Sequence, residues 1–246
     1  MKKILIILLL SVLVTYAHAQ WGSAYNQELY LSYVKGEMDD WEGILQRMSS
    51  EYEQSGDPVL LYDMSFAYYG YIGYLLSMEE KEKEIKKFLN QAMDYTKELE
   101  EELDGRHDVL ALRAAMIGYR IVLSKFTSLF MGPKASKYIN TAYESAETCF
   151  NCNTEMANMK FYTPKFLGGS KEEAIGYYEK AVEILENSPL KTDRTWIYMN
   201  TVVMLANAYN DTDQPERACS LYEQLLEYEP GADWIREDLY SKCEQK

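Results

Sequence analysis

TVVMLANAYNDTDQPERACSLYEQLLEYEP, residues 201–230, carries two helical patterns separated by one break at Asp211 to Gln214. Leu205, Ala206 and Tyr209 recur at the spacing of one helix face, and Ala218, Tyr222 and Leu225 do the same beyond the break. The small Ala206 and Ala218 allow two antiparallel helices to approach closely, while Tyr209 and Tyr222 fill the seam beside them. Pro230-Gly231 stops the second helix. A hairpin of this kind leaves an apolar face uncovered and must stack on a neighbour. Ala206→Leu is therefore expected to overpack the seam, at a cost of ~1–3 kcal/mol.

Upstream, apolar residues at helical spacing recur throughout the chain after Gln20, and alternating β-branched stretches are sparse, so the chain reads as all-α. Helices are expected at 24–35, 38–54, 58–78, 81–103, 107–129, 134–147, 154–163, 170–187, 194–210, 214–228 and 233–244, with breakers such as Gly56-Asp57-Pro58, Gly132-Pro133 and Pro164 between them. Ser170-x-x-Glu173 and Asp213-x-x-Glu216 have the form of capping boxes. One rhythm, small or large at the anchor, large four residues on and small three beyond, returns at Trp41-Leu45-Met48, Ile85-Leu89-Ala92, Ala135-Ile139-Ala142, Ala174-Tyr178-Ala181 and Ala218-Tyr222-Leu225. These anchors lie 44, 50, 39 and 44 residues apart.

The 201–230 unit resembles a tetratricopeptide repeat, with Val202 in place of the usual Trp. GGSKEEAIGYYEKAVEIL, residues 168–185, resembles the second half of the same repeat. The run from Tyr162 to Ala174, with Pro164, Gly168 and Gly169, is similar to a phrase of exported bacterial members of the family. The resemblance implies a right-handed α-solenoid of about five helix-turn-helix hairpins in one domain over 20–246. It is clearest at 154–187 and 194–230, with a capping helix at 233–244. It also implies a concave groove lined by the first helix of each hairpin, which places Tyr30, Tyr33, Tyr74, Arg120, Ser124, Asn200, Asn207 and Asn210 as partner-binding residues. Asn, Arg and Tyr there would supply amide pairing, a carboxylate clamp and wide low-entropy contact.

Lys2-Lys3, the apolar run Ile4 to Val14 and Ala17-His18-Ala19 read as a secretory signal peptide over 1–19, cleaved between Ala19 and Gln20. The first Cys is Cys149, which gives no lipid-anchor site at the cleavage point. The mature chain is expected in the periplasm with no membrane span. Taking Lys2 and Lys3 from the 25 Lys+Arg leaves 23 against 39 Asp+Glu, a formal charge of −16, which repels nucleic acid. In an oxidising compartment, Cys149-Phe-Asn-Cys152 is a candidate local disulfide or a pair of packed thiols. Cys219 and Cys243 are a candidate staple, because antiparallel helices about Pro230-Gly231 oppose residues whose numbers sum to about 462, as 219 and 243 do.

Only His107 remains after cleavage, and acidic residues are spread over helix surfaces, so no catalytic constellation, metal site or cofactor motif is read. The expected function is a non-enzymatic protein–protein interaction scaffold of the bacterial envelope. The alternative is a small-molecule or glycan-binding component of an uptake system, using a Tyr-rich interior. Stacking of the array on copies of itself, as a homo-oligomer, is a third reading.

Overall fold

Helical hairpins follow one another along the chain in the computed structural model, which describes residues 23–78, 82–124 and 128–243. The signal-peptide reading lies outside the described residues. The hairpins pair α1 (Tyr25–Lys35) with α2 (Asp40–Ser55), α3 (Pro58–Ser77) with α4 (Glu82–Glu102), and α5 (His107–Leu123) with α6 (Ser128–Ser145). They continue with α7 (Phe150–Tyr162) and α8 (Lys171–Glu186), then, after the short α9 (Pro189–Thr192), with α10 (Trp196–Asn210) and α11 (Pro215–Tyr228). Among the described residues every regular element is helical, and each hairpin packs on the next in the manner of a solenoid.

The repeating rhythm marks the inner face of every second helix. Trp41, Leu45 and Met48 on α2, Ile85, Leu89 and Ala92 on α4, and Ile139 and Ala142 on α6 are all buried, as are Ala174, Tyr178 and Ala181 on α8 and Ala218, Tyr222 and Leu225 on α11. Ala135 is half-buried. Small side chains at the closest approaches set the helix spacing, and aromatic rings fill what is left, which is how a stack of hairpins reaches interior packing density.

First helices are buried on more than one side. α3 hides 13 of its 20 residues. It has neighbours in α2, α4 and α5, and at Gly70 it meets α10. A Cβ there would stand 2.7 Å from the Trp196 ring and 3.0 Å from that of Trp41, so only glycine lets the helix pass between the two indoles. Those indoles meet edge to face at 5.1 Å.

The ends of the array also touch, which an open solenoid does not require. α1 packs against α10. Trp234 Nε1 donates to the Tyr33 carbonyl at 3.0 Å, and the Tyr30 hydroxyl donates to Glu229 at 2.6 Å, a carboxylate that Arg194 also holds at 3.0 Å. The first hairpin is thereby sealed onto the last.

Several element boundaries differ from expectation. α7 begins at Phe150, not at 154, because the Cys149 sulfur accepts the Cys152 amide and serves as a cap. Asn151 and Asn153 are buried in its first turn and donate to the carbonyls of Asp108 and Glu147. α6 runs through Gly132-Pro133 instead of starting after it. α5 ends at Leu123, short of 129.

Ser170 caps α8 as expected, accepting from the Glu173 amide. Asp213 does not cap α11: it adopts positive φ, Gln214 takes the cap position, and Pro215 opens the helix. The terminal segment is not an α-helix over 233–244. It is a π-helical turn, Ile235–Leu239, followed by a 3₁₀ turn, Tyr240–Lys242.

Candidate functional site

The expected groove residues fall into separate places. Tyr30 and Tyr33 are 1% and 7% exposed and lie in the seam between α1 and the C-terminal hairpin. The Tyr33 hydroxyl reaches Asn200 Oδ1 at 3.4 Å, so these two are brought together. Tyr74 donates to Asp39, just before α2, and Arg120 donates to Asn90 on α4 at 2.7 Å. Ser124 ends α5, its amide bonded to the Arg120 and Ile121 carbonyls. Asn207 and Asn210 are exposed, and both hydrogen-bond the Tyr222 hydroxyl within their own hairpin.

The set is therefore divided among the α1–α10 seam, the α3 and α5 contacts with Asp39 and Asn90, and the α10–α11 hairpin. Between α3, α7 and α10 lies a partly open space of about 10 Å³, lined by residues including Phe66, Tyr69, Trp196 and Asn200. That is room for about one water. A shallow, largely charged depression between α1 and α2, bordered by Glu28, Lys35, Asp40 and Arg47, lies elsewhere.

Apolar side chains reach solvent on a different surface. α5 and α7 run parallel and level: Asn151 Nδ2 donates to the Asp108 carbonyl at 2.9 Å near one end, and Tyr162 acts electrostatically on Tyr119 near the other. The C-terminal end of α5, the N-terminal end of α6 and the α7–α8 connection therefore share one edge of the stack. Here Val122, Phe130, Tyr162, Phe166 and Leu167 are 59, 84, 72, 86 and 65% exposed. Single exposed apolar residues are ordinary, whereas a concentration of aromatic ones on adjacent turns marks an interaction surface.

The α7–α8 turn is rigidly built. Pro164 ends α7's path, and Ser170 N donates back to the Lys160 carbonyl at 2.9 Å. At Gly169 a Cβ would lie 1.8 Å from the Thr163 carbonyl oxygen, so no other residue fits. The turn projects Phe166 and Leu167 outward, and exposed Lys165 and Lys134 add positive charge beside them.

Beneath this edge lies a carboxyl that the sequence reading did not single out. Glu155 is 5% exposed, in the middle of α7. Asn158 Nδ2 donates to its Oε1 at 3.0 Å and lies 3.5 Å from the Tyr69 hydroxyl, while Tyr178 donates to Asn158 Oδ1 at 2.5 Å. Tyr69 and Tyr119 stack at 5.7 Å, and the Tyr119 hydroxyl donates to the Tyr69 carbonyl. Among the described residues no Lys, Arg or His acts on the carboxyl. Burial pushes it up to about 7, against the opposing hydrogen bonds from Tyr69 and Asn158. Tyr69, Tyr119 and Tyr178 are all raised in turn, first by burial and then by charges that include Glu155. In sequence, Glu155 was one of 39 acidic residues, and nothing local distinguishes it.

Both cysteine pairs are joined. Cys149–Cys152 closes the N-terminal turn of α7, and Cys219–Cys243, with Cα atoms 5.8 Å apart, ties the terminal turns to α11.

No family model and no curated protein matches the sequence. In fold, the chain is similar to a haemophore. The HusA haemophore from Porphyromonas gingivalis superposes with a TM-score of 0.54 and 17% sequence identity, over 78% of this chain and 96% of that one. At that identity the likeness is one of fold.

Proposed function

We propose that the chain is an exported, non-catalytic binding protein whose ligand docks on the aromatic edge formed by the end of α5, the start of α6 and the α7–α8 turn, and that haem is the ligand to test first. The observation that carries this reading is the concentration of Phe130, Tyr162, Phe166 and Leu167 at high exposure on one edge. A flat macrocycle gains from stacking on such rings, and its carboxylates find Lys134 and Lys165 on a chain that is otherwise acidic. The similarity of fold to a haemophore supports the choice of ligand. Among the described residues no helix is long and apolar enough to cross a membrane.

A protein partner remains the second reading, favoured by the tetratricopeptide-like rhythm. It would use the same edge, where large apolar side chains reach solvent. Haemin titration of residues 20–246, followed by absorbance, tests the proposal. Saturable binding that weakens about ten-fold or more in a Tyr162→Ala/Phe166→Ala variant of unchanged melting temperature is expected. Linear, non-saturating uptake, identical in the variant, contradicts it.

A further inference from the structure

Glu155 stands where four helices meet. Tyr69 faces it from α3, Tyr119 from α5, Asn158 and Tyr162 from α7 itself, and Tyr178 from α8. Each of these is neutral in the physiological range, so near neutral pH the junction has one group that changes charge. When ionised, the carboxylate is held by neutral donors alone. Full hydration becomes available only if α7 moves away from α3 and α8. When neutral, it leaves the same hydrogen bonds in place and adds a hydroxyl that can donate. The same helix carries Tyr162 in its last turn, two turns beyond Glu155.

We propose that Glu155 is a proton-operated lock on the junction of α3, α5, α7 and α8: neutral, it keeps the junction closed, and ionised, it loosens α7 and the exposed edge that α7 carries. The further step, that ligand holding on this edge weakens as pH rises, rests on the binding role proposed above.

The sign follows from linkage. A carboxyl raised in the closed state and ordinary in the opened one binds its proton more tightly when closed, so closure is favoured at low pH and lost as pH rises through the closed-state value. With that value at about 7, the opened population of the junction increases roughly ten-fold between pH 6 and pH 8.

Amide hydrogen exchange across α7 and α8, corrected for intrinsic rates and measured at both pH values on the disulfide-bonded mature chain, reads that population. About a ten-fold rise in the parent and none in Glu155→Gln supports the lock. Equal pH dependence in the two chains overturns it. Should Glu155→Gln fail to fold, the Glu155 carboxyl carbon shift in the parent serves instead: a titration midpoint between pH 6 and 8 supports the lock, and one below 5 overturns it. Haemin affinity at the two pH values separates the two proposals. Tighter binding at pH 6 by the parent alone supports their connection, while absence of haemin binding at either pH overturns the role of the edge and leaves the exchange result to decide the lock.

Discussion

Single atoms decide which side chains a position admits. At Gly169 the displaced Cβ would stand 1.8 Å from a backbone oxygen that cannot retreat without unwinding the end of α7. Gly169→Ala is expected to cost ~2–4 kcal/mol in urea unfolding, and a loss under ~1 kcal/mol would show that the turn is built differently. Arg113 is 7% exposed, donating to Glu100 at 3.0 Å and to the Met93 carbonyl at 2.9 Å, with Tyr138 also bonded to Glu100. Removing it strands a carboxylate among α4, α5 and α6. Arg113→Ala should therefore lower stability by about 3 kcal/mol, checked by the same unfolding. Gly168-Gly169 were legible as turn residues from sequence, and the Ala206 and Ala218 contacts were legible from their spacing. Arg113 and Glu155 were not, because a charged side chain's burial depends on partners such as Glu100 and Tyr69, 13 and 86 residues away, which periodicity does not report.

Elements follow the hydrophobic period wherever it is strong, and depart from it where side chains supply unusual caps. The second helices were legible because one apolar stripe faces inward and the other side is charged, as on α4. The start of α7 was not, since a half-cystine sulfur did the capping that Ser, Thr, Asp or Asn normally does. The terminal turns owe their path to Cys243, held to Cys219 at a sequence separation of 24. Loop-closure entropy for such a separation gives a stabilisation of ~3 kcal/mol. Cys219→Ser/Cys243→Ser should show that loss, together with faster exchange in residues 233–243, whereas an unchanged unfolding midpoint would mean that the segment is held by Trp234 and Ile235 alone.

The whole molecule is a stack of hairpins whose ends meet. Its fold class could be read from the repeating rhythm, but its closure could not: Trp234 on Tyr33, Tyr30 on Glu229 and Trp41 on Trp196 join residues 155 to 201 positions apart. That closure covers Tyr30 and Tyr33, expected from sequence at a binding face, and shifts the search for a ligand surface to the outer edge. Among the described residues Phe166 is the most exposed of the large apolar side chains, on a turn held by Gly169 and Ser170. Trp234→Ala should unseal the two ends, accelerating exchange in α1 and α10 while leaving α5 to α8 protected.

The central claim is that ligand meets the chain at this edge. The most direct measurement is amide chemical-shift mapping of isotope-labelled residues 20–246 as diamagnetic gallium protoporphyrin is added. Saturating shifts concentrated at residues 119–134 and 158–170, with α1, α2 and α11 unmoved, are the predicted result. Shifts centred on the α1–α2 depression or on the α1–α10 seam, or no shifts at all, would contradict it.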